Sequence, residues 1–236
     1  MDSVETAVDS EVAEDTPAVA RGNGQAMVSP ALVVLTDPNG IEAEAVRGLR
    51  TRIVAQHINE GRRSLAVCAP SAEADSAFVA ANLAASMAQI GVKTILVDAN
   101  LRESVVGSLF GIAPEAAGLS NYLAGTDTGL EKFIYSGVAS NLSVMPAGPL
   151  PANPQELLSS PRFPMLVNQL LREFDLTIFD TAPAHSCTDA QRVATVVGYA
   201  LIVARKDESY INDVKILSQT LRADRSVVIG AVLNDY

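Results

Sequence analysis

Two aspartates directly follow short apolar runs, in positions where a carboxylate could take part in chemistry. Asp98 follows the run Thr94–Val97, and Asp180 follows the run Leu176–Phe179. A third apolar run, Ser64–Cys68, leads into a loop of small residues. Runs of this kind predict buried parallel strands, and ligands bind beyond the carboxyl ends of such strands. The sequence therefore predicts one crevice suited to a nucleotide, with carboxylates that could act as a base or bind a metal ion.

Elements that would position this crevice alternate along the chain. Continuous apolar runs predict strands at Ser64–Cys68, Thr94–Val97, Leu142–Met145, Leu176–Phe179, Ala200–Ala204 and Val227–Leu233. Helical spacing of apolar residues predicts helices at Glu42–His57, Ala77–Ile90, Arg162–Arg172 and Ile211–Leu221. Strands that alternate with helices predict an α/β fold, a three-layer αβα sandwich with a mainly parallel central sheet.

Composition narrows the class of protein. The 236 residues carry a formal net charge of −10, which argues against nucleic acid as a partner because phosphate backbones bind lysine and arginine. No apolar run approaches the roughly 18 residues that span a bilayer, and the N-terminus lacks the pattern of a signal peptide. We therefore expect a cytoplasmic protein. Two cysteines and two histidines lack metal-ligand spacing, so we expect no metal site.

The N-terminal segment differs from the rest of the chain. Its first acidic residues all precede Arg21, namely Asp2, Glu5, Asp9, Glu11, Glu14 and Asp15. Residues 1–30 show no periodicity and are predicted to form a disordered acidic tail, with one domain over residues 31–236. An alternative is an acidic arm that docks on a basic surface of a partner.

Six segments, in chain order, resemble motifs of the bacterial tyrosine kinases of capsule and exopolysaccharide synthesis. These kinases are P-loop proteins related to the ATPases of cell division and chromosome partition. The matching segments are EAVRGLRT at 44–51, ILVDANLR at 95–102, GLSNYLAG at 118–125, PAG…NPQELL at 146–158, FDLTIFDTAP at 174–183 and GAVLN at 230–234. The resemblance implies that Glu44, Arg47 and Arg50 make subunit contacts in an oligomer, and that Asn234 contacts adenine.

The same resemblance exposes a departure in the phosphate-binding loop. A working loop reads G-x-x-x-x-G-K-[ST], in which backbone N–H groups and the lysine bind phosphates and the hydroxyl binds magnesium. Alignment places Asp75 at the second glycine, Ser76 at the lysine and Ala77 at the magnesium-binding position. Asn100 also replaces the second carboxylate of the D-x-D motif. We expect catalysis to be lost, with no cofactor bound beyond weak ATP–Mg or ADP–Mg.

The altered residues also have a structural interpretation. Asp75 or Ser76 would make a good N-cap for the helix near Ala77, where it would satisfy donors that a phosphate otherwise occupies. Asp98 and Asp180 are then vestigial acidic positions that could cap neighbouring loops. A residual phosphate or anion site at the degenerate loop remains the alternative.

These features favour a catalytically impaired kinase homologue, or pseudokinase. The resemblance implies a cytosolic partner of an inner-membrane polysaccharide copolymerase, peripheral to that membrane, in capsule-like or holdfast-like polymer export. In the kinases a tyrosine-rich tail follows the motif that ends at Asn234, whereas this sequence ends at Asp235-Tyr236. That ending adds to the expectation of lost kinase activity.

Two other functions stay open. An active tyrosine autokinase or ATPase would need a compensating lysine, Lys93 or Lys206, at the phosphates. A positioning ATPase of division or partition would keep a lysine-rich loop and often a membrane-targeting C-terminal helix, and the sequence shows neither.

Overall fold

The computed structural model describes residues 28–125 and 129–235. Helices lie at α1 Val33–Thr36, α2 Ile41–Ile53, α3 Ser76–Gln89, α4 Val106–Leu109, α5 Leu119–Ala124, α6 Pro154–Ser159, α7 Arg162–Glu173, α8 Asp189–Val197 and α9 Ile211–Ala223. Strands lie at β1 Ser64–Cys68, β2 Thr94–Asp98, β3 Tyr135–Ala139, β4 Leu142–Met145, β5 Leu176–Asp180, β6 Tyr199–Arg205 and β7 Val227–Asn234. Most of the predicted acidic tail, residues 1–27, lies outside the described residues.

The strands form one seven-stranded sheet in the order β3-β4-β2-β5-β1-β6-β7. Every neighbouring pair is parallel except β3 with β4, which is antiparallel. Helices cover both faces, which explains why β1, β2, β4 and β5 are buried along their whole length. The predicted α/β sandwich with a mainly parallel sheet is confirmed.

The two faces of the sheet have separate cores. One core gathers α3 with parts of α1 and α2, and the other lies under α5 to α9. Helix α3 is buried over Ala77–Ala88, which suits its run of small apolar residues. Such small side chains let a helix pack closely against the sheet, so α3 holds the loop before it in a fixed place.

Several features of the fold differ from the sequence prediction. Strand β3 and helices α6 and α8 were not predicted, and α2 continues into a π-helical turn, Val54–Ile58. Ile41, which lies at helical spacing with Ala45, Leu49 and Ile53 and so would be expected to face the core, is 87 % exposed. The stripe therefore does not bury its first member.

Two glycines, Gly118 and Gly148, let the start of α5 pack closely against the loop after β4. The N–H of Leu119 donates to the Pro146 carbonyl at 2.8 Å, and Gly118 lies so close that an added Cβ would overlap that carbonyl. Gly148 has φ +80°, and a Cβ there would lie 2.6 Å from the Ser120 hydroxyl. The glycines of these two motifs therefore permit close backbone contact.

We expect Gly118→Ala to destabilise the protein by about 1–3 kcal/mol, because the added methyl group would overlap backbone atoms and force them apart. Urea unfolding measures the change. The matched control is Gly48→Ala, since a Cβ at Gly48 in α2 meets no atom within 4 Å. Alanine is favoured over glycine in a helix, so the control should be neutral or stabilising. Equal destabilisation by both variants would contradict the packing argument.

Candidate functional site

The predicted crevice lies at the carboxyl edge of the sheet. β1, β2, β5 and β7 end there at Cys68, Asp98, Asp180 and Asn234. Asp98 lies directly opposite Asp180 in the register of β2 and β5. The fold thus brings the two acidic positions together beside the loop that follows β1, as the sequence predicted.

That loop is closed by its own residues. Ala72–Ala74 form a 3₁₀ turn, and Asp75 adopts the left-handed conformation with φ 52° and ψ 60°. The Asp75 carboxylate accepts the backbone N–H of Phe78 at 3.2 Å and so caps α3. A side-chain carboxylate therefore lies at the helix end where a phosphate binds in a working P-loop.

Ser76 and Ala77 offer little to a nucleotide. The Ser76 hydroxyl, at the position of the missing lysine, donates to the Asp180 carboxylate at 2.7 Å. Ala77 is 5 % exposed and has no hydroxyl to bind a magnesium ion. The side chains at these two positions thus serve the protein's own structure.

Two further side chains fasten the 3₁₀ turn. The Asn234 amide donates to the Ala74 carbonyl at 3.2 Å, and the Arg205 guanidinium donates to the Glu73 carbonyl at 3.1 Å. Asn234 is 6 % exposed, so its side chain is largely covered. The contact from Arg205 was not predicted, because nothing in the local sequence links the end of β6 to the loop.

Asp98 and Asp180 are buried acids with raised pKa values. Burial raises the pKa of Asp98 to about 6, although the carboxylate accepts hydrogen bonds from the Ser104 hydroxyl and two backbone N–H groups. Burial also raises the pKa of Asp180 well above its ordinary value, and the charge of Asp98 adds to the effect. Two like charges at neighbouring strand ends disfavour each other, so this pair resists full ionisation.

The loop after β2 uses its polar residues internally. The Asn100 side chain bonds the backbone of Glu103 through both its amide and its carbonyl. Arg102 forms an ion pair with Asp189 at 2.7 Å, and the Asp189 side chain is 1 % exposed. Asp189 was not identified from the sequence as a residue of the site. Its pairing ties the loop after β2 to the start of α8.

Neither lysine named for a divergent active site is free at the loop. Lys93 precedes β2 at the opposite edge of the sheet, about 16 Å from Asp98 along the strand. Lys206 follows β6 at the carboxyl edge and forms an ion pair with Asp235 at 2.9 Å. Arg205, rather than either lysine, contacts the loop through its guanidinium.

The three residues expected in subunit contacts share one side of α2. Arg47 pairs with Glu44 at 2.7 Å and donates to the Pro38 carbonyl. Arg50 donates to both oxygen atoms of Ser86 on α3 at 3.2 Å. The cluster thus braces α2 within the chain, and its role between subunits stays a prediction.

The described residues, 28–125 and 129–235, contain neither a group of metal ligands nor a membrane-spanning helix. No group of three or more histidine, cysteine, aspartate or glutamate side chains there could hold a metal ion. Within the same ranges, no helix has the length and hydrophobicity that crossing a membrane requires.

Comparison with known proteins agrees with this architecture. No protein-family model matches the chain. CapB of Staphylococcus aureus, named as a candidate tyrosine-protein kinase, is 32 % identical over 207 residues, which cover 88 % of this chain and 90 % of CapB. A candidate tyrosine-protein kinase in the cps region of Klebsiella pneumoniae is 31 % identical, and the match covers 86 % of this chain and 28 % of that protein.

Solved structures give the same result. The kinase domain of Escherichia coli tyrosine kinase ETK has a TM-score of 0.81 and 33 % identity, over 86 % of this chain and 79 % of that chain. The chimerical protein CapA2B2 has a TM-score of 0.78 and 30 % identity, over 87 % of this chain and 90 % of that chain. The cell division ATPase MinD of Pyrococcus furiosus shares the fold. It has 24 % identity and a TM-score of 0.63, and the match covers 74 % of this chain and 73 % of that chain. The chain therefore belongs to the family of bacterial tyrosine kinases and has their P-loop NTPase-like fold.

Proposed function

We propose that this chain is a catalytically impaired member of the family, a pseudokinase. It acts as a cytosolic regulator of a membrane polysaccharide copolymerase in exopolysaccharide synthesis and export. The observation that carries the loss of catalysis is the Asp75 carboxylate, which caps α3 where a nucleotide phosphate would bind.

Electrostatics supports weak nucleotide binding. A phosphate chain approaching the loop would meet the carboxylate of Asp75, which lies at the helix end where the phosphate would bind. A missing charged hydrogen-bond donor typically costs about 1.5–3 kcal/mol, and like charges add repulsion. A total of about 3–5 kcal/mol corresponds to a loss of several hundred-fold or more in affinity.

The proposed partner rests on the relatives. One of them is encoded in a cps region, and another is the CapA2B2 chimera, whose name joins a CapA part to a CapB part. The match also covers only 28 % of tyrosine-protein kinase etk of Escherichia coli. A kinase-like domain that acts together with a membrane protein, fused to it or separate, would account for these observations, and it would lie at the cytoplasmic face through that protein.

Calorimetry of ATP and ADP with magnesium against the purified chain tests the loss of nucleotide binding. We expect no binding heat at micromolar to submillimolar nucleotide, because the loop is closed by its own side chains. Micromolar binding would overturn the proposal. Deletion of the gene tests the pathway, since unchanged surface polysaccharide would contradict a role in export.

A second candidate function is an active kinase with a divergent loop, and Arg205 is the observation that favours it. Its guanidinium already reaches the Glu73 carbonyl and could turn toward a phosphate. If calorimetry detects ATP, Arg205→Ala should then weaken binding about tenfold or more, as the loss of a charged donor does. Binding that is unchanged in this variant would remove the compensating role of Arg205.

A further inference from the structure

The edge strand β7 lacks the charged residues and prolines that often protect a sheet edge. It pairs with β6 and, within residues 28–125 and 129–235, with no other strand. Its eight residues, Val227–Asn234, include no charged residue and no proline. Natural edges are usually shortened, charged, bent or covered, because their free N–H and C=O groups pair readily with another strand.

The other edge of the sheet is different. Strand β3 has five residues, and its register with β4 shifts between Ser136 and Ala139. Gly137 within it has φ +78°, which breaks the regular extended form. β7 has one shift in register, after which Gly230–Asn234 run in step with β6. Among the residues that the structure describes, β7 is therefore the edge strand with the longer regular stretch, Gly230–Asn234, at which a further strand could pair.

Apolar side chains remain exposed along this edge. Leu233 is 65 % exposed and Val227 is 49 % exposed. A groove of about 410 Å³ also lies between α2 and β7, with Gly48 and Arg52 on one side and residues 229–233 on the other. An added strand would bury the exposed side chains and find space for its own beside α2.

Charges at the two ends of β7 favour a second copy of the same strand. Near its start, Arg222 and Arg225 outnumber Asp224 by one charge. Near its end, Glu42, Asp207, Glu208 and Asp235 outnumber Arg205 and Lys206 by two charges. Antiparallel pairing sets the basic start of one strand beside the acidic end of the other. Parallel pairing would bring like charges together.

We propose that β7 pairs antiparallel with β7 of a second copy, through a two-fold axis near Gly230 and Ala231, and so forms a dimer with one continuous sheet. The small residues at the centre let the two backbones approach. Such an interface is closed, because each copy uses the same edge. It is separate from the contacts predicted for Glu44, Arg47 and Arg50, and it does not rest on the loss of catalysis.

Light scattering after gel filtration of the full chain, with sedimentation over a range of concentrations, tests the dimer. We expect a dimer at micromolar concentration in the wild type and a monomer for Leu233→Lys, since a lysine on an edge opposes pairing. Leu150→Lys is the matched control, because Leu150 is 72 % exposed elsewhere on the surface and should leave the dimer intact.

A charge exchange tests the antiparallel direction. Arg225→Glu and Asp235→Lys should each weaken the dimer about fivefold to tenfold at low salt, and the double variant should recover most of the loss. Hydrogen exchange should slow with concentration within residues 227–234. A wild type that is monomeric throughout, or a dimer that survives Leu233→Lys, would overturn the proposal.

Discussion

Replacing three loop residues together should give this protein micromolar affinity for ATP–Mg, in contrast to the wild type. The variant combines Asp75→Gly, Ser76→Lys and Ala77→Thr. Glycine removes the carboxylate that caps α3 and accepts the left-handed conformation at φ 52° without strain. Lysine and threonine supply the phosphate and magnesium contacts of a working loop.

The expected gain in nucleotide affinity is large because the substitutions remove a repulsive contact with phosphate and add attractive ones. Removing the carboxylate of Asp75 frees the N–H of Phe78, and it also ends the repulsion of a bound phosphate. A gain of about 3–5 kcal/mol would raise affinity by several hundred-fold or more, which calorimetry measures directly.

Asp75→Gly alone is the control for this experiment. It opens the helix end without supplying a cation, so we expect a much weaker gain in affinity. If the triple variant folds and still binds no nucleotide, the obstacle lies elsewhere, and the degenerate loop does not explain the loss. Circular dichroism and thermal unfolding establish that each variant is folded.

Continuous apolar strands were predicted well from the sequence. The bounds of β1 and β4 agree with the prediction, because each strand is buried from end to end and its sequence is apolar between clear breaks. β3 was missed, since its sequence YSGVA contains a glycine and no apolar run. An edge strand that pairs with one neighbour needs no continuous apolar run, so the hydrophobic pattern could not predict β3.

Helix ends were harder to predict where proline was present. Residues 146–154 include four prolines, which favour a loop, but Pro154 opens α6. Proline is well accepted in the first turn of a helix, where its missing N–H has no partner to lose. Glu156 in that turn was a second available signal. The sequence therefore contained the start of α6, hidden by the prolines before it.

The candidate site was predictable in its residues and less so in its contacts. A cap at Asp75 or Ser76 followed from residue type, whereas the left-handed backbone of Asp75 depends on the turn before it. The contacts of Arg205 and Asp189 join segments far apart in the sequence. Such pairs arise from the topology of the sheet, which local patterns do not encode.

Asp180→Asn should make the protein more stable at neutral and alkaline pH. The carboxyl of Asp180 is buried, and its pKa is raised by that burial and by the charge of Asp98. An asparagine keeps an oxygen for the Ser76 hydroxyl and carries no charge. We expect a gain of about 1–3 kcal/mol near pH 8, typical of relieving a poorly compensated buried group.

The direction of the pH dependence follows from the raised pKa values. An acid whose pKa is higher in the folded state contributes stability at low pH, and that contribution is lost as pH rises through the folded-state pKa. For Asp98 the loss runs from about the ordinary value of 3.8 up to the folded-state pKa of about 6. Wild-type stability should therefore fall as pH rises from about 4 to 6, and Asp180→Asn should lose less.

Urea unfolding of both proteins across this pH range measures the difference. The two free energies should lie closest at low pH, where the wild-type carboxyl is protonated, and diverge as the pH rises. A constant difference at every pH would mean that Asp180 keeps its ordinary pKa. In a protein that binds ATP–Mg, added cation and nucleotide would stabilise the ionised carboxylate, so the wild type would gain stability that the variant lacks. Because the loop of this chain is closed by Asp75 and Ser76, we expect ATP–Mg to leave both unfolding curves unchanged.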